Sequence, residues 1–152
     1  MTPPADRATR PGWPDWLGLV VDDLGAARRF YTDLFGREPA DAGADWIQFD
    51  LGDGRIFELL ERDPARVQYD EARFQPGFPV EDIERARDRL LGLGAEQLTE
   101  MEGGPEHGGF WCYFRDPQGH VFELTQPIPP PPASPASGSA GQTSDGLPEG
   151  LR

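Results

Sequence analysis

Two carboxylates, Glu58 and Glu123, are the side chains of this sequence whose positions most suggest chemistry. They occupy matching places in two similar stretches, residues 54–59 and 119–124, which lie 65 positions apart. Two carboxylates that face each other in apolar surroundings either repel, so that one of them gains proton affinity, or attract a cation. Glu58 and Glu123 are therefore candidate catalytic residues, each able to serve as a general base beside a carbon acid.

Histidine and cysteine are scarce, with two His and one Cys in the whole sequence. One Cys cannot form an internal disulfide or a thiolate cluster, and Cys112 is interpreted as part of the core. His120 follows a turn and is interpreted as a solvated residue. His107 lies in the glycine-rich stretch 103–109, and counting by twos from Trp111 puts it on the same strand face. His107 is therefore a candidate ligand-binding residue or proton carrier, and the alternative is a flexible residue at a rim.

The elements that must position these residues form an internal repeat. Apolar residues recur at helical spacing over 24–34 and again over 83–93, so one amphipathic helix is predicted in each half. Asp23 and Asp82 stand where helix N-caps belong, and a glycine follows each helix. One strand is predicted before each helix and three after it, at 16–21, 37–41, 45–51 and 55–61 in the first half and at 75–80, 96–101, 108–115 and 120–126 in the second.

Alternation along the predicted strands separates two faces of the sheet, because successive strand side chains point to opposite sides. An apolar face, expected to pack beneath the helices, comprises Leu17, Leu19, Val21, Ile47, Phe49, Leu51, Phe57, Leu59, Phe78, Val80, Cys112, Phe114, Phe122 and Leu124. The opposite, polar-aromatic face comprises Trp16, Gly18, Trp46, Gln48, Asp50, Glu58, Gln75, Gly77, Trp111, Tyr113 and Glu123. Three Trp and a Tyr among carboxylates and amides indicate a ligand-binding surface rather than a solvated one.

Composition excludes several classes of partner and location. The sequence has 27 acidic and 14 basic residues, a net charge of −13, and no cluster of basic residues, which argues against nucleic-acid binding. It contains no apolar run long enough to span a membrane and no pattern of a secretory signal at its start. We therefore expect a soluble, cytoplasmic protein that binds neither nucleic acid nor membrane and whose partner is a small molecule.

The folding unit is predicted to occupy residues 15–126, with module one at 15–62 and module two at 73–126. Residues 1–14 hold four prolines without an apolar period and are predicted to be a flexible N-terminal segment. Residues 127–152 are rich in Pro, Ser and Gly and are predicted to be a disordered tail. The proline run in this tail is interpreted as a stiff spacer.

Residues 16–126 resemble the vicinal oxygen chelate superfamily, which includes glyoxalases, bleomycin-resistance proteins, fosfomycin-resistance enzymes and extradiol dioxygenases. The matching motifs are residues 19–24 leading to Phe30-Tyr31, and residues 116–119 leading to 122–124. The resemblance implies an α+β fold in which two βαβββ modules form a cup-shaped mixed β-sheet, with helices outside and chemistry inside. It also implies a homodimer.

The resemblance implies four metal-ligand places, which fall here on Trp16, Glu58, Gln75 and Glu123. Trp16 cannot be a ligand, because its indole nitrogen is only a hydrogen-bond donor. The remaining two carboxylates and one amide suit a hard cation such as Mg²⁺ or Mn²⁺ better than Zn²⁺. We therefore expect no cofactor. The alternative is a divalent metal (Mg, Mn, Ni or Fe) held by Glu58, Gln75 and Glu123.

Two classes of function stay open at this point, and so does the question of whether the protein is an enzyme. The first is a binding protein of the bleomycin-resistance type, which stacks a small organic ligand among the aromatic side chains of the cup without a standard metal site. The ligand would be an antibiotic or a metabolite, cationic and aromatic in character. Its candidate binding residues are Trp16, Trp46, Gln48, Gln75, His107, Trp111 and Tyr113. The second is a lyase, isomerase or dioxygenase that uses Glu58 and Glu123 as metal ligands or as general base.

Overall fold

The computed structural model describes residues 5–70 and 73–128. The strand–helix–strand–strand–strand order of the first half recurs in the second, with one additional short strand. The elements are β1 Trp16–Val21, α1 Leu24–Phe35, β2 Asp41–Ala42, β3 Trp46–Asp50, β4 Ile56–Glu61, α2 Val67–Asp70, β5 Phe74–Pro79, α3 Ile83–Gly92, β6 Glu96–Gln97, β7 Glu102–Gly104, a 3-10 helix Pro105–His107, β8 Gly109–Arg115 and β9 Val121–Pro127. Beyond Ile128 the predicted tail lies outside the described residues. None of the helices described has both the length and the hydropathy needed to cross a bilayer.

One curved, mixed β-sheet joins the two halves. Its strands lie in the order β2-β3-β4-β1-β5-β9-β8-β6, and β7 pairs with β8. The first strands of the two modules, β1 and β5, pair antiparallel at the centre, while β1 pairs parallel with β4 and β5 parallel with β9. The structure is therefore α+β, with two βαβββ modules in one sheet, as predicted.

The helices cover the apolar face as two separate cores. In module one, Ile47, Phe49, Phe57 and Leu59 pack against α1; in module two, Cys112, Phe114 and Leu124 pack with residues of α3. The Asp23 side chain accepts a hydrogen bond from the backbone N–H of Ala26 at 2.9 Å, and Asp82 does the same for Arg85 at 3.0 Å. Both predicted N-caps are confirmed, and Cys112 lies in the core.

Two short elements differ from the predicted strands. The strand expected over 96–101 stops at Gln97. Beyond it, the backbone N–H of Tyr113 donates to the Thr99 hydroxyl at 3.0 Å instead of to a backbone carbonyl, which interrupts the strand pairing. The chain then pairs with β8 again as β7, a strand that the alternation did not predict. The strand expected over 37–41 is reduced to the two residues of β2.

Residues 5–14, which were predicted to be flexible, pack against module two. Thr9 is buried, the Ala8 carbonyl accepts the N–H of Asp82, and the Pro79 carbonyl accepts the N–H of Gly12. The side chain of Arg85 pairs with that of Asp6. Residues 5–14 have no periodic apolar residues, but backbone hydrogen bonds hold them against module two. The structured unit therefore begins before residue 15.

Candidate functional site

A cavity of about 780 Å³ lies on the polar-aromatic face of the sheet. Most of the residues predicted for this site line it, namely Trp16, Trp46, Gln48, Glu58, His107, Trp111, Tyr113 and Glu123. Residues of both modules contribute, because β1 and β5 hold the two halves of the sheet side by side. The repeat thus brings Glu58 and Glu123 into one hollow.

The indole of Trp16 forms the floor of this cavity. It is 8% exposed, and its N–H donates to Glu58 Oε2 at 2.5 Å. The ring lies across two glycines of the neighbouring backbone: a methyl group at Gly18 would overlap it, and one at Gly77 would come within 3.0 Å. The absence of side chains at these two positions is what lets the indole lie flat against the sheet.

The carboxyl group of Glu58 is held between the Trp16 indole and the side chain of Gln48 on β3. Its carboxyl accepts from Trp16 and, across the strand pair, from Gln48. Burial raises the pKa of Glu58 because it penalises the charged form, while the Trp16 and Gln48 hydrogen bonds and the nearby Asp45 have smaller effects. The carboxyl group is thus positioned by donors and biased toward keeping its proton.

Glu123 is more deeply buried than Glu58 and stands opposite Tyr113 on adjacent strands. Burial raises the pKa of Glu123 well above its ordinary value, and the charge of Glu58 adds to this, whereas the Tyr113 hydroxyl acts in the opposite direction. Burial and the charge of Glu123 likewise raise the pKa of Tyr113. Carboxyl and phenol therefore form a hydrogen-bonded pair in which the neutral forms of both are favoured.

Trp46 and Trp111 form two walls of the cavity. They occupy corresponding positions on β3 and β8, strands in the two opposite halves of the sheet. The N–H of Trp111 donates to Glu102 Oε2 at 2.6 Å, and Glu102 is its direct partner across the β7–β8 pair. The hydrogen bond fixes the plane of this indole at the edge of the cavity.

Several lining residues were missed by the sequence analysis. Tyr69 and Arg66 come from the connection between the modules, where the Arg66 guanidinium donates to the Tyr69 hydroxyl at 3.2 Å. Glu102 was missed because it follows the predicted end of a strand. No periodic pattern in the sequence marks Arg66, Tyr69 or Glu102. They reach the cavity because of the path of the chain between the modules and of β7.

Gln75 is placed differently from its prediction, while His107 lies at the rim of the cavity and His120 at an exposed turn, both positions that the sequence indicated. Gln75 is fully buried and does not line the cavity, because the segment containing α2 lies over it and its amide donates to the Gln68 carbonyl. His107 stands at the rim with its side chain 61% exposed and its ring centre 6.2 Å from that of Trp111. His120 is exposed at its turn and bonds to Asp116.

Comparison with known proteins identifies the family. A family model described as a glyoxalase-like domain matches residues 17–125. The chain belongs to this glyoxalase-like family. The family lies within the glyoxalase/bleomycin-resistance/dioxygenase group, that is, the vicinal oxygen chelate superfamily indicated by the sequence motifs.

Relatives of this glyoxalase-like domain include enzymes. The metallothiol transferase FosB of Shouchella clausii is 27% identical over 110 residues, which covers 71% of this chain and 75% of FosB. Methylmalonyl-CoA epimerase from Mycobacterium tuberculosis superposes with a TM-score of 0.61 at 20% identity, covering 76% of this chain and 87% of that one. The Mn(II)-bound glyoxalase from Novosphingobium aromaticivorans superposes with a TM-score of 0.57 at 22% identity, covering 79% of this chain and 39% of that one. The two superpositions show a shared fold.

The side chains of this glyoxalase-like domain do not fit a chelated metal ion. Trp16 occupies the first ligand place and directs an N–H toward Glu58, and Gln75 is turned away to Gln68. Within residues 5–70 and 73–128, no three His, Cys, Asp or Glu side chains are grouped so that they could hold an ion. An indole at this place contributes no lone pair and fills volume that an ion and its waters would need.

Proposed function

We propose that this glyoxalase-like domain binds a small organic cation with an aromatic part in the cavity, and that binding requires no metal. The observation that carries the proposal is the Trp16 indole, which takes the place of a ligand and converts Glu58 into an acceptor for its own N–H. What remains accessible is a floor and walls of aromatic side chains, which suit stacking rather than chelation.

The charges around the cavity favour a cation. Acidic residues lining it are Asp15, Asp41, Asp45, Glu58, Glu102, Glu106 and Glu123. The basic side chains among the described lining residues are Arg66 and His107. Because burial favours the neutral forms of Glu58 and Glu123, the more exposed carboxylates of Asp41, Asp45 and Glu106 carry the argument. A concave site lined by one sign of charge raises the local concentration of the opposite sign, and the net charge of −13 acts in the same direction.

A second candidate function is proton transfer without a metal. The Glu123–Tyr113 pair is buried beside the cavity, and burial raises the pKa of Glu123, which favours a carboxyl group that holds a proton available for transfer to a bound substrate. Such an enzyme would act on a carbon acid bound against the Trp16 floor. If turnover of any substrate is found, the variant Glu123→Gln separates the two functions, since it abolishes proton transfer and retains the shape of the cavity.

The proposed function is tested by elemental analysis combined with fluorescence titration. Protein purified without chelator is expected to contain far less than one metal ion per chain. Cationic aromatic compounds are expected to quench the Trp emission, and Trp13→Phe serves as the control, because Trp13 is 83% exposed and lies outside the cavity. A full complement of Mn, Ni or Fe, or no quenching across a broad panel that includes neutral aromatics, contradicts the proposal.

A further inference from the structure

We infer that the cavity is an aromatic cage for a quaternary ammonium group, an inference that rests on the proposed function and names the class of its ligand. The cage consists of Trp16, Trp46, Trp111 and Tyr113, supported by Tyr69. Aromatic faces arranged around a hollow attract a cation through their quadrupoles, and this recognition is strongest where water is excluded.

Three of the aromatic rings pack edge to face at the closed end of the cavity. The rings of Trp16 and Tyr113 lie 6.3 Å apart with an interplanar angle of 79°, and those of Tyr69 and Tyr113 lie 6.4 Å apart at 82°. Trp46 and Trp111 extend the enclosure from the two opposite halves of the sheet. Trp16, Tyr69 and Tyr113 are almost fully buried and form the closed end of the enclosure, whereas the half-buried Trp46 and Trp111 offer ring surface that a cation can reach.

The indoles are held before any ligand arrives. Trp16 and Trp111 each donate their N–H to a carboxylate, Glu58 and Glu102. Trp111 also lies against Gly103, where a methyl group would come within 2.6 Å of the ring. Fixed side chains lose little conformational entropy when a ligand binds, so the attraction is not offset by the cost of ordering the cage.

The three carboxyl groups that are hydrogen-bonded to rings of the cage are already engaged by these donors, which favours one type of cation beside them. Glu58 accepts from Trp16 and Gln48, Glu102 accepts from Trp111, and Glu123 interacts with the Tyr113 hydroxyl. A primary ammonium needs acceptors for three N–H groups when it leaves water. A quaternary ammonium has no N–H group, so it gains from the aromatic faces and the surrounding negative charge without competing for these carboxylate oxygens.

The contact of Arg66 with Tyr69 indicates which ring faces are available to a bound cation. Its guanidinium carbon lies 5.3 Å from the centre of the Tyr69 ring, within cation–π distance. Tyr69 is therefore already paired with a cation of the chain itself. The remaining faces, those of Trp16, Trp46 and Trp111, are where the ligand cation is expected.

The inference is tested by calorimetric titration of the full chain with three probes that share a benzyl group. These are benzyltrimethylammonium, benzylammonium and benzyl alcohol, used at neutral pH. Benzyltrimethylammonium is expected to bind at least about 10-fold more tightly than either of the others, the scale of a desolvated cation–π contact. Equal or tighter binding of benzylammonium overturns the inference and leaves the proposed function standing. Equal or tighter binding of benzyl alcohol overturns both, because the cavity then shows no preference for a cation. No binding of any probe overturns both.

Variants test whether binding depends on the aromatic ring faces or only on apolar contact area. Trp46→Leu and Trp111→Leu are expected to weaken benzyltrimethylammonium about 5- to 30-fold and benzyl alcohol far less, with Trp13→Leu as the matched control. Thermal unfolding followed by circular dichroism reports whether each variant is folded, and Trp46→Phe or Trp111→Phe replaces any that is not, with a smaller loss expected. Equal weakening of all probes would mean that the walls act through apolar contact alone, and the inference fails.

Discussion

Glu123 has its carboxyl group at the floor of the cavity, where the residue is only 5% exposed. Its pKa is raised chiefly by burial and further by the charges of Glu58, Asp15 and Glu102. A carboxyl group of this kind keeps its proton in the folded chain at pH values where the unfolded chain has lost it. It therefore contributes stability that is fully present below its ordinary pKa of 4.5 and is lost as the pH rises through the folded-state value.

The variant Glu123→Gln is expected to reduce the loss of stability that accompanies a rise in pH. In wild type, the free energy of unfolding measured with urea should fall as the pH is raised from 5 to 9. In the variant the fall should be smaller, and its stability at pH 9 should exceed that of wild type by on the order of 1 kcal/mol, because no buried charge forms. The exposed change Glu100→Gln is the control. Parallel pH profiles for wild type and Glu123→Gln would show that Glu123 ionises as an exposed carboxyl does.

At the scale of elements, the central strand pair depends on the close approach of Trp16 to Gly18. A methyl group at Gly18 would overlap the indole ring, which cannot move without leaving its hydrogen bond to Glu58. Overpacking of this kind costs about 1–3 kcal/mol. Gly25 in α1 is a matched control, because a methyl group there meets atoms only at ordinary contact distance.

We therefore expect opposite effects from two Gly-to-Ala changes. Gly18→Ala should lower the free energy of unfolding and alter the Trp fluorescence spectrum, since the floor indole is displaced. Gly25→Ala should raise stability by up to about 1 kcal/mol through helix propensity, with the spectrum unchanged. A Gly18→Ala variant as stable as wild type, with its spectrum intact, would mean that the indole does not depend on this contact.

Strand alternation explains which parts of the site could be predicted from the sequence. It placed Trp46, Glu58, Trp111 and Glu123 on one face, since each lies in a regular strand whose opposite face is covered by a helix. Alternation also put Gln75 on the face of the cavity, but it carries no information about the connection that covers this residue. Connections and short pairings such as β7 are determined by tertiary contacts, and so their contributions had no signal in the sequence.

At the scale of the whole molecule, the N-terminal arm, residues 5–14, packs against the end of β5 and the start of α3 and leads into β1. Its contacts include the buried Thr9, the Arg85–Asp6 ion pair and backbone hydrogen bonds to Pro79 and Asp82. Asp82 caps α3, so the arm supports the beginning of that helix. The N-terminal arm is expected to stabilise the fold without affecting ligand binding, since it packs outside the cavity.

Deletion of residues 1–11 is expected to lower the free energy of unfolding by about 1–3 kcal/mol, because Asp82 then loses a backbone acceptor and a buried side chain is removed. Chemical denaturation of the truncated and full chains measures this. Arg7→Ala, which removes only an exposed ion pair with Glu81, should change stability by no more than about 1 kcal/mol. A deletion no more costly than this single change would show that the arm does not support α3.

The antiparallel pairing of β1 with β5 within one polypeptide has a consequence for stoichiometry. The floor, walls and acidic groups described above come from one chain, so under the proposed function we expect one ligand to bind per chain. Dilution of the protein then leaves the saturation curve unchanged, and a substitution in either half of the repeat alters only the side of the cavity that it lines.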